Sequence, residues 1–144
     1  MDVLFLEDHY DAAKLAVFLK DHGYSVDRAQ NIIDAEDFLD TGKNYKAAIV
    51  DLDMSKHYLA SELKDYAKNQ FAGWVFYQHV LRKYPPLDEN TIIVSALLPT
   101  FKNNPPDEHY DDVYLIDKRD HDYLDQVLAK LEEIKQRLNP PESR

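Results

Sequence analysis

The chain contains no cysteine, which excludes disulfides, thiolate metal centres and a cysteine nucleophile together. Positive charge is scarce as well: 17 lysines and arginines stand against 27 aspartates and glutamates, for a net charge of −10. Such a chain repels a phosphate backbone at long range, so nucleic acid is not expected as a direct partner. No apolar run approaches the roughly 18 residues that a membrane-spanning helix needs, and Met1 to Asp8 lacks the basic start and long apolar segment of a secretory signal. A cytoplasmic location without a membrane partner is the expectation. The six histidines are scattered, with no metal-ligand spacing.

What is present reads as one ordinary globular domain. Its 144 residues, 44% hydrophobic and 31% charged, suffice for a sizeable core. Short aliphatic runs alternate with longer amphipathic stretches, the pattern of βαβ units. Strands are expected at Asp2 to Leu6, Tyr24 to Ala29, Ala47 to Leu52, Thr91 to Ser95 and Asp112 to Ile116. Helices are expected at about Asp11 to His22, with Ala12, Leu15, Ala16 and Leu19 inward and Gly23 as the stop, and at about Ile32 to Asp40, closed by Thr41-Gly42. Two more are expected at Gly73 to Lys83 and at about Asp120 to Leu138, the last with Leu124, Val127, Leu128, Leu131, Ile134 and Leu138 as its apolar stripe. The fold class is therefore α/β, a doubly wound, flavodoxin-like five-stranded parallel sheet of order 2-1-3-4-5 with helices on both faces. Residues 1–138 form the domain and 139–144 a C-terminal tail.

In an open sheet of this kind ligands bind at the carboxyl ends of the strands, where strand order reverses. Glu7 and Asp8 end the first strand and Asp51 the third. All three are expected to converge on one crevice, with Ser95 and Lys118 arriving from strands four and five. Clustered carboxylates do not all ionise cheaply unless a cation joins them. Oxygen-only ligands favour a hard ion such as Mg²⁺, which bridges carboxylate to phosphate. Asp51 could then attack a phosphoryl group, Lys118 hold one of its oxygens and Ser95 donate to another, giving an aspartyl phosphate. Each residue alone is weak evidence; their value comes from register.

These residues resemble the receiver domain of two-component response regulators. The resemblance rests on Leu4-Phe5-Leu6-Glu7-Asp8, Ile49-Val50-Asp51-Leu52-Asp53-Met54, Val94-Ser95-Ala96 and Lys118, in order and over most of the chain. It implies phosphoryl transfer to Asp51 from a histidine kinase or histidine phosphotransferase. It also implies Mg²⁺ on Asp8 and Asp51, Glu7 acting through water and the Asp53 backbone carbonyl completing the shell. Ser95 would follow the phosphoryl group and Lys118 pair with it, shifting a conformational equilibrium. As a stand-alone receiver the chain would signal through contacts with a downstream protein, without enzyme activity beyond its own phosphorylation and dephosphorylation.

Several segments depart from the family pattern. After Met54 the chain reads Ser55-Lys56-His57-Tyr58 and meets Gly73 only later, an insertion over about 55–72 in which Leu59, Leu63, Tyr66 and Ala67 share one helical spacing. Such a segment would cap the pocket or recruit a partner. Arg119 follows Lys118 where the family has proline, so a trans bond is expected. Leu115 stands where the family has its aromatic switch residue, and Tyr114 would point to the other face. Three prolines and two asparagines between Leu97 and Pro106 oppose a regular fourth helix. Two rival readings follow. One is a pseudo-receiver that binds proteins without phosphorylation. The other is a haloacid-dehalogenase-like phosphatase, with Asp51 as nucleophile and Asp53 as acid/base.

Overall fold

A computed structural model describes residues 1–9, 12–66, 71–103 and 113–139 of the chain. Strands β1 (Asp2–Leu6), β2 (Ser25–Ala29), β3 (Ala47–Val50), β4 (Thr91–Ser95) and β5 (Tyr114–Asp117) form one parallel sheet of order β2-β1-β3-β4-β5. That is the order and class expected. Helices α1 (Ala12–Asp21), α2 (Ile32–Asp40), α3 (Ser61–Lys64), α4 (Ala72–His79), α5 (Leu98–Asn103) and α6 (Tyr123–Leu138) cover it.

Side chains alternate across the central strands and build two cores. Leu4, Leu6, Ala48, Val50 and Ile93 face α2, α4 and α5, whereas Val3, Phe5, Ala47, Ile49, Ile92 and Val94 face α1 and α6. Each large side chain removed from water contributes about 1.5–3 kcal/mol, so both helical layers are held chiefly by these faces. Ala12, Leu15, Ala16 and Leu19 are the buried residues of α1, and Gly23 beyond it takes φ +91°, the left-handed turn that ends the helix. In α2, Asn31 Oδ1 accepts the Asp34 N–H at 2.8 Å, a side-chain N-cap.

The differences from the expected boundaries have local causes. β3 ends at Val50 rather than Leu52, because the Met54 N–H turns back onto Leu52 O. The helix expected at Gly73 to Lys83 stops at His79: Val80 leaves helical angles and a 3₁₀ turn, Leu81–Lys83, follows. β5 runs on to Asp117, and α6 begins at Tyr123 instead of Asp120, after a turn joining Asp120 N–H to Asp117 O. Val127, Leu131 and Ile134 of its stripe are buried, and Leu138 is 37% exposed where the helix runs past the core. In the insertion, Leu59 is buried but Tyr66 is 52% exposed, so the expected single face is interrupted. A 3₁₀ turn, Lys56–Tyr58, and the one turn of α3 occupy that stretch. The proline-rich segment after β4 keeps a helix, α5, which among the described residues spans six. Asp11, Ala67, Asp112, the 104–106 stretch and the tail from residue 140 fall outside the described residues. Among those described, no helix is long and apolar enough to cross a membrane.

Candidate functional site

Parallel pairing puts the ends of β1, β3, β4 and β5 on one edge. Leu6 pairs with Val50, and Ser95 with Asp117, so Glu7, Asp51 and Lys118 emerge side by side. The ladder continues past the strands: Glu7 N–H donates to Ala29 O, Asp51 N–H to Leu6 O and Lys118 N–H to Ser95 O, at 3.0–3.2 Å. The three side chains are thus aimed by backbone, not by loop geometry.

Glu7 and Asp51 are 3% and 6% exposed. Two carboxylates so withdrawn from water need a partner, and Lys118 supplies it. Its ammonium donates to Glu7 Oε1 and, at 2.9 Å, to Asp51 Oδ2. The other Asp51 oxygen, Oδ1, accepts the Asp53 N–H at 3.1 Å. Burial pushes the Glu7 carboxyl above the usual carboxylate range, and the nearby Asp51 charge pushes the same way, against the pull of Lys118. Burial alone would lower the Lys118 ammonium, yet its hydrogen bond to Glu7 and the Asp51 charge outweigh it and hold the ammonium above its ordinary value.

The other expected site residues lie close by without joining this contact. Ser95 is fully buried, and its hydroxyl oxygen accepts the Leu97 N–H at 3.1 Å. Asp8 and Asp53 are exposed. Asp8 lines a cavity of about 280 Å³ with Gln30, Asn31, Met54, Ser55 and Tyr58, so the start of the insertion walls the space beside it. Among the described residues, no three histidine, cysteine, aspartate or glutamate side chains stand close enough together to hold a metal ion. The expected convergence of three acids is met by two.

The departures also take shape here. The Lys118–Arg119 bond is trans, and the Arg119 guanidinium turns back onto Asp117 at 2.8 Å. Leu115 packs toward the core under α2, α4 and α5, and Tyr114 toward the opposite core, as strand alternation requires. Two residues unassigned by motif also shape the site. Arg28, at the end of β2, donates to the carbonyls of His9 (2.8 Å) and Glu7 (3.4 Å), tying down the acidic turn. Gly73 N–H donates to Leu52 O at 3.2 Å, beside the Asp51 backbone. Arg28 carries no sequence signal, and Gly73 shows in sequence only as the late glycine that closes the insertion; the contacts of both are with main chain brought close by the fold.

By sequence, no protein-family model matches the chain and no curated protein does. By structure it is similar to a sensor protein from Polaromonas sp. JS666, at 19% identity and a TM-score of 0.64, covering 94% of this chain and 96% of that one. It is also similar to a response regulator receiver protein from Sinorhizobium medicae WSM419, at 15% identity and a TM-score of 0.63, covering 93% of each. A CheY-like response regulator receiver domain protein from Methanospirillum hungatei JF-1 matches at 15% identity and a TM-score of 0.58, over 94% of this chain and 97% of that one. The fold is that of response regulator receiver domains.

Proposed function

We propose that the chain is a receiver that accepts a phosphoryl group on Asp51 in two-component or phosphorelay signalling. A histidine kinase or histidine phosphotransferase would be the donor, and a protein contact the output. The observation that carries this reading is the setting of Asp51 on the receiver fold. It is a nearly buried carboxylate at the end of a central strand, held on one oxygen by Lys118 and on the other by the Asp53 N–H. A carboxylate held in one orientation has already given up the freedom that attack on phosphorus would otherwise cost.

In the transfer, an Asp51 oxygen bonds to phosphorus as the P–N bond of a phosphohistidine breaks. The electron pair leaves with the imidazole nitrogen, which takes up a proton. Charge gathering on the phosphoryl oxygens faces Lys118, whose raised pKa keeps it cationic at neutral pH. Ser95 accepts from Leu97 through oxygen, and its own proton can be given to a phosphoryl oxygen once the side chain turns toward it.

Two converging carboxylates, fewer than a full protein shell, suit Mg²⁺ as an ion that takes one or two carboxylates and keeps several waters. The crevice already draws a cation, the Lys118 ammonium, onto two nearly buried carboxylates, and Asp8 stands exposed at the same edge. Asp8, Asp51 and the Asp53 carbonyl would hold the ion, with Glu7 reached through water. When bound it would offset the roughly −1.5 to −2 charge of the phosphoryl group.

The test is to incubate the protein with Mg²⁺ and either acetyl phosphate or beryllium fluoride, following intact mass and amide spectra. One phosphoryl group should be gained by wild type and none by Asp51→Asn. No adduct, no Mg²⁺ affinity and unchanged spectra would overturn the reading. One observation favours a second reading, a protein-binding module without phosphorylation: the Lys118 ammonium meets both Glu7 and Asp51 and ties the two carboxylates into one ion-paired cluster. The same experiment separates the two. Turnover of phosphomonoesters, lost in Asp53→Asn, would instead support the phosphatase.

A further inference from the structure

Gly73 is the second residue of α4, a helix for which glycine is a poor former. Its backbone does not require glycine: Gly23 and Gly42 have positive φ, and Gly73 does not. Space does require it. A Cβ at Gly73 would overlap the main-chain oxygen of Asp51 and stand 2.9 Å from both the Asp51 carbonyl carbon and Leu52 Cα. At Gly23 and Gly42 nothing lies within 4 Å of such a Cβ. The atoms in the way are all backbone, so no side-chain rotamer relieves the contact.

We infer that Gly73 is a positioning residue for Asp51, the bare turn of helix against which the Asp51–Leu52 peptide is set; this rests on the phosphoacceptor reading. The Gly73 N–H fixes Leu52 O at 3.2 Å, and the Met54 N–H binds the same oxygen at 3.0 Å. That oxygen therefore pins the turn that brings the Asp53 N–H onto Asp51 Oδ1. The far Asp51 oxygen meets Lys118 at 2.9 Å. Any side chain at Gly73 drives α4 and this turn apart, and the carboxylate moves with its backbone. Gly73 follows directly on the insertion, so the chain returns at its end to the peptide just before it.

The experiment compares Gly73→Ala with wild type and with Leu39→Ala, a truncation in the same core at the far end of α2. Three quantities are read: thermal stability, the rate of Mg²⁺-dependent adduct formation from acetyl phosphate, and the NMR resonances of the Asp51 carboxyl and Lys118 ammonium. Gly73→Ala should stay folded, shift both resonances and lose about 100-fold in rate, the scale of a 1 Å misplacement. Leu39→Ala should lose stability while keeping rate and resonances. Wild-type rate and resonances in Gly73→Ala, or an equal rate loss in Leu39→Ala, would overturn the inference. Shifted resonances in Gly73→Ala alongside a wild type that forms no adduct would sink the phosphoacceptor reading and leave the positioning role standing. Should Gly73→Ala not fold, amide exchange in wild type decides. The Gly73 N–H must exchange only with global unfolding, and exchange by local opening would overturn the proposal.

Discussion

Lys118 decides the electrostatics of the crevice, because it alone is seen to meet both nearly buried acids among the described residues. Removing one partner from a buried ion pair costs about 3–5 kcal/mol, since the remaining charges are stranded. In Lys118→Met part of that cost is escaped by protonating Glu7, whose pKa burial already raises. The sign follows from linkage: a carboxyl raised in the folded state binds more protons than in the unfolded chain, so stability falls as pH rises through its range. Urea unfolding of Lys118→Met should therefore show a smaller deficit against wild type at about pH 5 than at about pH 8. Adding Glu7→Gln should flatten that difference. A deficit independent of pH would mean that Glu7 is not the group relieved. The charge-bearing residues of this pair were legible in sequence because strand-end carboxylates and a lysine past the last strand fall in register. Arg28 was not, and of Gly73 only its late position was, because each bonds to or abuts main chain that only the folded sheet brings near.

At the scale of elements, strands β1 and β4 were readable as short aliphatic runs buried on both faces, and helices α1 and α2 by a period of 3.6 between clear stops. The insertion was not, because four apolar residues at helical spacing do not say which are buried: Leu59 anchors in the core and Tyr66 faces solvent. Nor was the end of α4 at His79, which no proline or glycine marks. The outward route for a signal is an element-scale question too. Leu115 offers no aromatic ring, but the Ser95 hydroxyl holds the Leu97 N–H just ahead of α5, and Phe101 of α5 packs tilted against Trp74 of α4 with centroids 5.2 Å apart. If Ser95 turns to a phosphoryl oxygen it releases the head of α5, and the Trp74–Phe101 contact is the first packing to change. Trp74 is the single tryptophan, fully buried, so its emission reports that contact directly. Beryllium fluoride with Mg²⁺ should shift Trp74 emission in wild type and leave Asp51→Asn unchanged. Phe101→Leu, costing about 1–2 kcal/mol of stability, should mute the shift without blocking the adduct. An unmuted shift would route the signal elsewhere.

For the whole molecule, the two-sided sheet makes the site edge and the core one cooperative unit. Glu7, Asp51 and Lys118 all extend backbone ladders that begin in buried strands, so a ligand that fixes them stabilises the entire domain and not a loop alone. The net charge of −10 works against phosphorylation, because an added dianion raises repulsion within an acidic protein. A cation that joins the crevice must overcome this, and its contribution is readable as heat stability. A ligand bound only by the folded state at about 100 times its dissociation constant stabilises by about 2.7 kcal/mol. For a domain of this length that corresponds to a rise in Tm of about 8 °C. Mg²⁺ with beryllium fluoride should produce a rise of that order in wild type and none in Asp51→Asn. Mg²⁺ alone should give a smaller rise that Asp8→Asn removes. An equal rise in Asp51→Asn would place the bound anion away from the strand edge, because in this fold nothing but the Asp51 carboxylate joins the central strand to the Lys118 ammonium among the described hydrogen bonds.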